Sequence, residues 1–213
     1  MLKTGKLFVI LGMALAFVAG SALAEIKEGK EYALLPQVQP TDSKGKIEVT
    51  EFFWYGCPHC HDFEPVLTKW VKTLPKDVVF RRVPADFGRW TPGVKLFYAL
   101  ESIGEEDRLH NELFDAIHND RLNFNSEPEI TDWLAKKGVD RKKFADAYNS
   151  FTVQSKVSRV RQLSSAYALT GVPTVIIGGK YTTSNVMAGS FEALPAIMDE
   201  LIAKVRAEQG KKK

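Results

Sequence analysis

The two cysteines of this 213-residue chain, Cys57 and Cys60, are separated by Pro58 and His59 and followed by His61. Thiols at this spacing can close a disulfide, but the loop is about the shortest available. In the chain-entropy account a disulfide stabilises more as its loop lengthens, so this pair is a poor staple. It points instead to exchange chemistry, in which a thiolate attacks a disulfide sulfur and a second thiol resolves the mixed disulfide. Cys57 comes first, at a turn, and is predicted to be the exposed attacking and leaving sulfur. Cys60 points into the following element and is predicted to be its shielded partner. A thiol at a helix start faces unpaired backbone N–H groups and the positive end of the helix dipole. Both favour the thiolate, so its pKa should fall below the ordinary value of about 8.5. His59 adds a charge or a donor. Pro58 needs no N–H in a first helical turn and stiffens the segment between the sulfurs. Stabilising the thiolate stabilises the reduced form and makes the disulfide oxidising. This chemistry calls for no metal and no cofactor beyond the Cys57–Cys60 disulfide.

Two metal readings compete for the same residues. Cys57-x-x-Cys60-His61 has the spacing of c-type haem attachment, with His61 as an iron ligand. Proline between the cysteines and an apolar strand before them argue against it, and none of His110, His118, Met187 and Met198 stands out as a second ligand. Structural zinc wants four ligands, usually with a second close pair. His110 and His118 are eight apart and read as polar residues on helices.

The elements that must hold the cysteines follow from periodicity. Tyr32 to Leu35 is a short strand, and Ile47 to Tyr55 a stronger one with apolar residues on both faces. Such a strand is covered on both sides. Glu51 stands in its middle, where a carboxylate is costly unless hydrogen-bonded or protonated. Either it serves the site or it reaches solvent at the strand end. From Cys57 to Leu74 the period is helical, with Pro65 inside and Pro75 at the end, and Val78 to Val83 is a strand again. Strand, helix and strand predict a parallel crossover. Five helical segments then fill the stretch to Leu169, the first with Thr91 as N-cap and Pro92 at N1. Val172 to Ile177, the Gly178-Gly179 turn and Lys180 to Thr183 predict a hairpin. An amphipathic helix from Phe191 to Arg206 closes the chain. The fold class is therefore α/β, a central mixed sheet flanked by helices, interrupted by an all-helical insertion. The boundaries are 25–90 plus 170–213 for the sheet domain and 91–169 for the insertion.

The first 24 residues read as a secretory signal: Lys3 and Lys6, an uncharged apolar stretch from Leu7 to Gly20, and Ala22-x-Ala24 before the predicted cleavage. Export would place the cysteines where disulfides persist. Removing Lys3 and Lys6 leaves 27 basic against 26 acidic residues, a net charge of +1. That balance gives no argument for nucleic acid as a partner.

The segment Glu51-Phe-Phe-Trp-Tyr-Gly-Cys57-Pro-His-Cys60, behind a signal and followed far downstream by Gly171-Val172-Pro173-Thr174, resembles the DsbA family of periplasmic thiol:disulfide oxidoreductases. That family is itself the standing example of low thiol pKa combined with oxidising power, so the resemblance and the physics are not independent here. The resemblance implies a thioredoxin fold with a cis Val172–Pro173 bond beside the disulfide, whose backbone binds an incoming substrate strand. It implies that Glu51 is the buried acid assisting the shielded thiol. It implies unfolded exported proteins with free thiols as substrates, a DsbB-like membrane protein as reoxidant, and a monomer. The family's buried lysine has no obvious match, since Arg81 and Arg82 occupy the second strand. Related isomerases carry an N-terminal dimerisation domain, for which about twenty residues before the Ile47 strand leave no room, and usually have threonine where Val172 stands. A peptide-binding module lined by Phe52, Phe53, Trp54 and Tyr55 is a further alternative, although alternating aromatics usually form core. The chemistry of the motif explains no role for His61.

Overall fold

The computed structural model describes residues 26–211. The predicted signal segment and its cleavage after Ala24 lie outside the described residues. In chain order the elements are β1 (Ala33–Leu34), β2 (Ile47–Phe53), α1 (Pro58–Val71), β3 (Val78–Pro84), α2 (Thr91–Ile103), α3 (Glu106–His118), α4 (Glu127–Lys136), α5 (Arg141–Tyr148), α6 (Phe151–Ala166), β4 (Thr174–Ile177), β5 (Tyr181–Thr183), α7 (Asn185–Ala188) and α8 (Leu194–Gly210).

The strands form one mixed sheet in the order β1-β5-β4-β2-β3. β2 runs parallel to β3 across the α1 crossover and antiparallel to β4. All seven β2 residues are buried, because helices cover the sheet on both sides. Its side chains divide among three apolar clusters. Ile47 and Val49 pack with α1 and α8, and Phe52 packs with Val94, Val157, Val160 and Tyr167. Phe53 belongs to a cluster made mostly by α2 to α5, and that cluster also holds Cys57 and Cys60. The aromatics at 52, 53 and 55 are therefore core.

Turn chemistry places the hairpin as expected. Gly178 and Gly179 both have positive φ, which suits the tight connection of β4 to β5. A Cβ on Gly179 would lie 2.1 Å from the Gln39 carbonyl oxygen. Asp140 caps α5 through the Lys143 N–H. Three expectations are corrected. The N-cap of α2 is Trp90, because the Thr91 hydroxyl lies 2.9 Å from the buried Asp86 carboxylate and accepts from Arg161. The last helix begins at Leu194, since Phe191 turns in to stack on Phe63 at 5.7 Å. The short α7, capped by Ser184, fills the connection after β5 where no helix was expected.

The turn into the cysteine motif is set by packing. Trp54 stacks on Trp90 at 4.4 Å with planes 6° apart, and Phe124 meets it edge-on. A Cβ on Gly56 would lie 2.6 Å from the Trp54 ring, so the ring stacked on Trp90 would have to shift. Gly56→Ala is expected to destabilise the chain by about 1–3 kcal/mol, as other overpacking changes do. Urea unfolding measures this, and an unchanged midpoint would show that the Trp54–Trp90 stack yields.

Candidate active site

Cys57 is the N-cap of α1 and Pro58 is its first residue. The Cys57 carbonyl accepts from the Cys60 and His61 N–H groups, both at 3.1 Å, as the helix winds up. Both cysteines are present as thiols. The expectation of an exposed Cys57 is corrected: both cysteines are buried, Cys57 at 8% exposure and Cys60 at 0%. Cys57 belongs to the apolar cluster of α2 to α5, and Val172 packs against it. The Cys57 thiol donates to the Val172 carbonyl at 3.5 Å, across 115 residues of sequence. The Val172–Pro173 bond is cis. His59 and Pro58 are exposed at the mouth, with Phe191 6.3 Å from the His59 ring.

Hydrogen bonding lowers the pKa of one sulfur and burial raises that of the other. The Cys60 thiol and the backbone N–H groups of Cys60 and His59 favour a Cys57 thiolate, aided by the charge of His59. Against the opposing effect of burial they bring its pKa down to about 6. Burial pushes the Cys60 thiol well up, and the neighbouring Cys57 and Glu51 add to this.

Glu51 is 1% exposed, so the solvent-reaching alternative does not hold. Neither of its carboxylate oxygens has a hydrogen-bond partner. Burial, reinforced by the charge of Glu64, raises its pKa to about 8, although Arg82 and His110 pull the other way. It is a neutral acid at pH 7. Its charge partner is Arg82, directly opposite in the β2–β3 register, with Nε 3.7 Å from the Glu51 carboxylate. The arginine in the second strand thus stands beside the acid.

Three residues of the same cluster went unrecognised in the sequence. Glu64, on α1, accepts from Arg82 and from the Thr68 hydroxyl. Burial opposes its ionisation, but His110 and Arg82 outweigh that and hold it down to about 2. His110 is 2% exposed, and Glu106 beside it is nearly buried. The reading of His110 and His118 as merely polar helix residues is corrected. His118 lies on a different contact, with Nε2 2.8 Å from the Tyr55 carbonyl oxygen. His61 also gains a place. Its ring stacks on His118 at 4.9 Å and lies near Phe114, and its Nε2 is 2.8 Å from the Asp115 carboxylate. It ties α1 to α3. No group of three or more metal-ligating side chains gathers among the described residues.

Comparison with known proteins fits this geometry. Residues 91–194 match the family described as DSBA-like thioredoxin domain. The chain is 43% identical to the thiol:disulfide interchange protein DsbA of Pseudomonas aeruginosa, over 94% of this chain and 96% of that protein. It is 40% identical to that of Burkholderia cepacia, over 94% and 97%. A crystal structure of Pseudomonas aeruginosa DsbA superposes with a TM-score of 0.82 at 45% identity, covering 87% of this chain and 96% of that one. The oxidoreductase NmDsbA1 from Neisseria meningitidis gives 0.78 at 31% identity, covering 88% and 98%. The fold is the thioredoxin fold of these proteins.

The shifted thiol gives a pH dependence with a definite sign. The folded pKa of Cys57 lies below its unfolded value, so its ionisation stabilises the folded reduced chain fully above about 8.5. That contribution is lost as pH falls through about 6. The raised pKa of Glu51 acts in the opposite direction between about 4.3 and about 8, and Glu51→Gln removes that contribution from the comparison. The melting temperature of the reduced chain relative to the oxidised chain should therefore drop between pH 8.5 and pH 6. The reduction potential should change by about 30 mV per pH unit above the thiolate pKa and about 60 mV below it. A break near 8.5 would mean that Cys57 is an ordinary thiol.

Proposed function

We propose a function from one premise: the chain belongs to the DsbA family of thiol:disulfide oxidoreductases. It donates the Cys57–Cys60 disulfide to exported, unfolded proteins that carry free thiols. The observation that carries this reading is the asymmetry of the two sulfurs. One thiol has its pKa brought down to about 6 and keeps slight exposure, and the other is fully enclosed with its pKa pushed well up.

In the oxidised protein a substrate thiolate attacks the Cys57 sulfur. The substrate–Cys57 bond forms, the Cys57–Cys60 bond breaks, and Cys60 leaves with the electron pair. That sulfur takes up a proton, for which buried neutral Glu51 is the nearest acid we assign. A second substrate thiolate then attacks the substrate sulfur of the mixed disulfide. The substrate disulfide forms and Cys57 departs as a thiolate. Two substrate thiols are oxidised, the protein disulfide is reduced, and one proton is released to solvent because Cys57 remains ionised. The low proton affinity of Cys57 makes it a good leaving group in this last step. His59, exposed beside it, adds positive charge, and Pro58 holds the spacing of the two sulfurs.

Val172 and Pro173 are the substrate-binding residues in this reading. The Val172 carbonyl, 3.5 Å from the Cys57 sulfur, supports it, because an extended substrate strand pairing there would bring its own sulfur to Cys57. The chemistry uses the redox-active disulfide as its only cofactor. We assign the protein to the periplasm as a monomer, with residues 91–169 as a helical insertion in the thioredoxin domain. A DsbB-like membrane protein would restore the disulfide. No helix among the described residues is long and apolar enough to cross a membrane.

Replacing the resolving sulfur isolates the intermediate. Cys60→Ala should accumulate mixed disulfides with exported proteins through Cys57, seen as reducible higher bands on non-reducing gels, and Cys57→Ala should show none. Equal trapping by the two variants, or by neither, would contradict the assignment of Cys57 as the attacked sulfur.

A further inference from the structure

His110 has no part in the exchange chemistry, yet it is among the most enclosed polar side chains of the protein. It comes from α3 in the helical insertion. Phe53, Tyr55, Phe97 and Phe114 surround its ring at centroid distances from 5.1 to 6.5 Å. Titratable and charged groups face it from the elements packed around it. Nδ1 lies 3.1 Å from the Tyr55 hydroxyl, from the turn before Cys57, and 3.1 Å from Glu106 on its own helix. Nε2 lies 3.6 Å from Glu64 on α1. Behind Glu64 stand Arg82 on β3 and Glu51 on β2.

The charge of this group is unbalanced unless His110 contributes. Arg82 is the only permanent cation in it, and Glu64 and Glu106 are two acids. A cationic imidazole gives two charges of each sign while Glu51 keeps its proton. Ionising Glu51 then leaves one excess negative charge, where a neutral imidazole would leave two. Buried charges without partners are strongly disfavoured, so the second arrangement would lock the proton on Glu51.

We propose that His110 is a positioning residue for disulfide exchange: as a cation between Glu64 and Glu106, it supplies the counter-charge that lets Glu51 lose and regain its proton as Cys60 alternates between disulfide and thiol. The proposal rests on the exchange reading of Cys57 and Cys60. When the disulfide opens, the Cys60 thiolate takes the Glu51 proton, Glu51 becomes a carboxylate, and water returns a proton to it. His110 stays protonated throughout and touches neither sulfur nor substrate. The raised pKa of His110, reached through Glu106 and Glu64 against the effect of burial, is consistent with a cation.

Coupled groups shift each other's titration by equal amounts. The His110 ring is followed by NMR across pH 5 to 10 in the full chain and in its Glu51→Gln variant, without any substrate. An ionised Glu51 holds the proton on His110, so removing that acid should lower the His110 midpoint, by roughly one pH unit if the two titrations are shared. The reciprocal variant, His110→Gln, keeps a polar side chain at the site without its charge. The rate of disulfide opening by a reduced cysteine peptide should fall, and the alkaline limb of its pH profile should move up because Glu51 then holds its proton more tightly. An unmoved His110 midpoint in Glu51→Gln would overturn the proposal. So would a ring that is neutral over the whole range, or an equal slowing by His110→Gln at every pH, which marks a structural role. If His110→Gln fails to fold, the Glu51→Gln titration alone decides. A wild-type chain that cannot oxidise the peptide would refute the exchange reading, and the NMR result would still stand as a separate measurement.

Discussion

One arginine beneath the active-site helix has more negative neighbours than it can neutralise. Glu51, Glu64 and the Cys57 thiolate all lie within its reach or within reach of one another. Like charges in a low-dielectric site cannot all ionise together, so the protons are held in order of the hydrogen bonds each group owns. Glu64, with Arg82 and Thr68 donating to it, ionises first, and Cys57, served by backbone N–H groups and its partner thiol, follows. Glu51 has no donor and keeps its proton longest. A nucleophilic sulfur, a spectator carboxylate and a neutral acid thus arise from three groups of the same formal sign.

The layout of strands and helices adds a geometric reason for the position of Glu51. It shares a face of β2 with Ile47, Val49 and Phe53. The first two pack under α1 and α8, and the last under the inserted helices. Glu51 sits where these two apolar clusters meet, and both bury it.

Much of this was legible because its signals are local. The change from strand to helical period at Cys57, the glycine pair at 178 and 179 and the alternation in β2 each lie within a few residues. The Val172–Pro173 contact came from family likeness, since nothing near residue 172 announces a cysteine 115 positions away. Arg82 was visible as an odd residue in a core strand, but its partner depends on the offset that sets Ile47 against Val78, which no local pattern states. His110 follows Leu109 on an amphipathic helix and looked like its polar margin. Only the packing of α3 against α1 turns it inward. His61 was opaque for the same reason, because the ring it stacks on belongs to the insertion.

The two sulfurs share their apolar cluster with α2 to α5, whereas the other end of the same sheet face closes on α1 and α8. The chain therefore separates architecture from tuning. Residues that pack between α8 and the sheet answer to the demands of folding alone. Those on the inward sides of α2 to α5 also form the dielectric wall of the redox pair. Over evolutionary time the first set is free to drift within its volume limits, while each change in the second alters the medium in which electrons are exchanged. Related chains can in this way diverge in oxidising strength with the cysteine motif itself untouched.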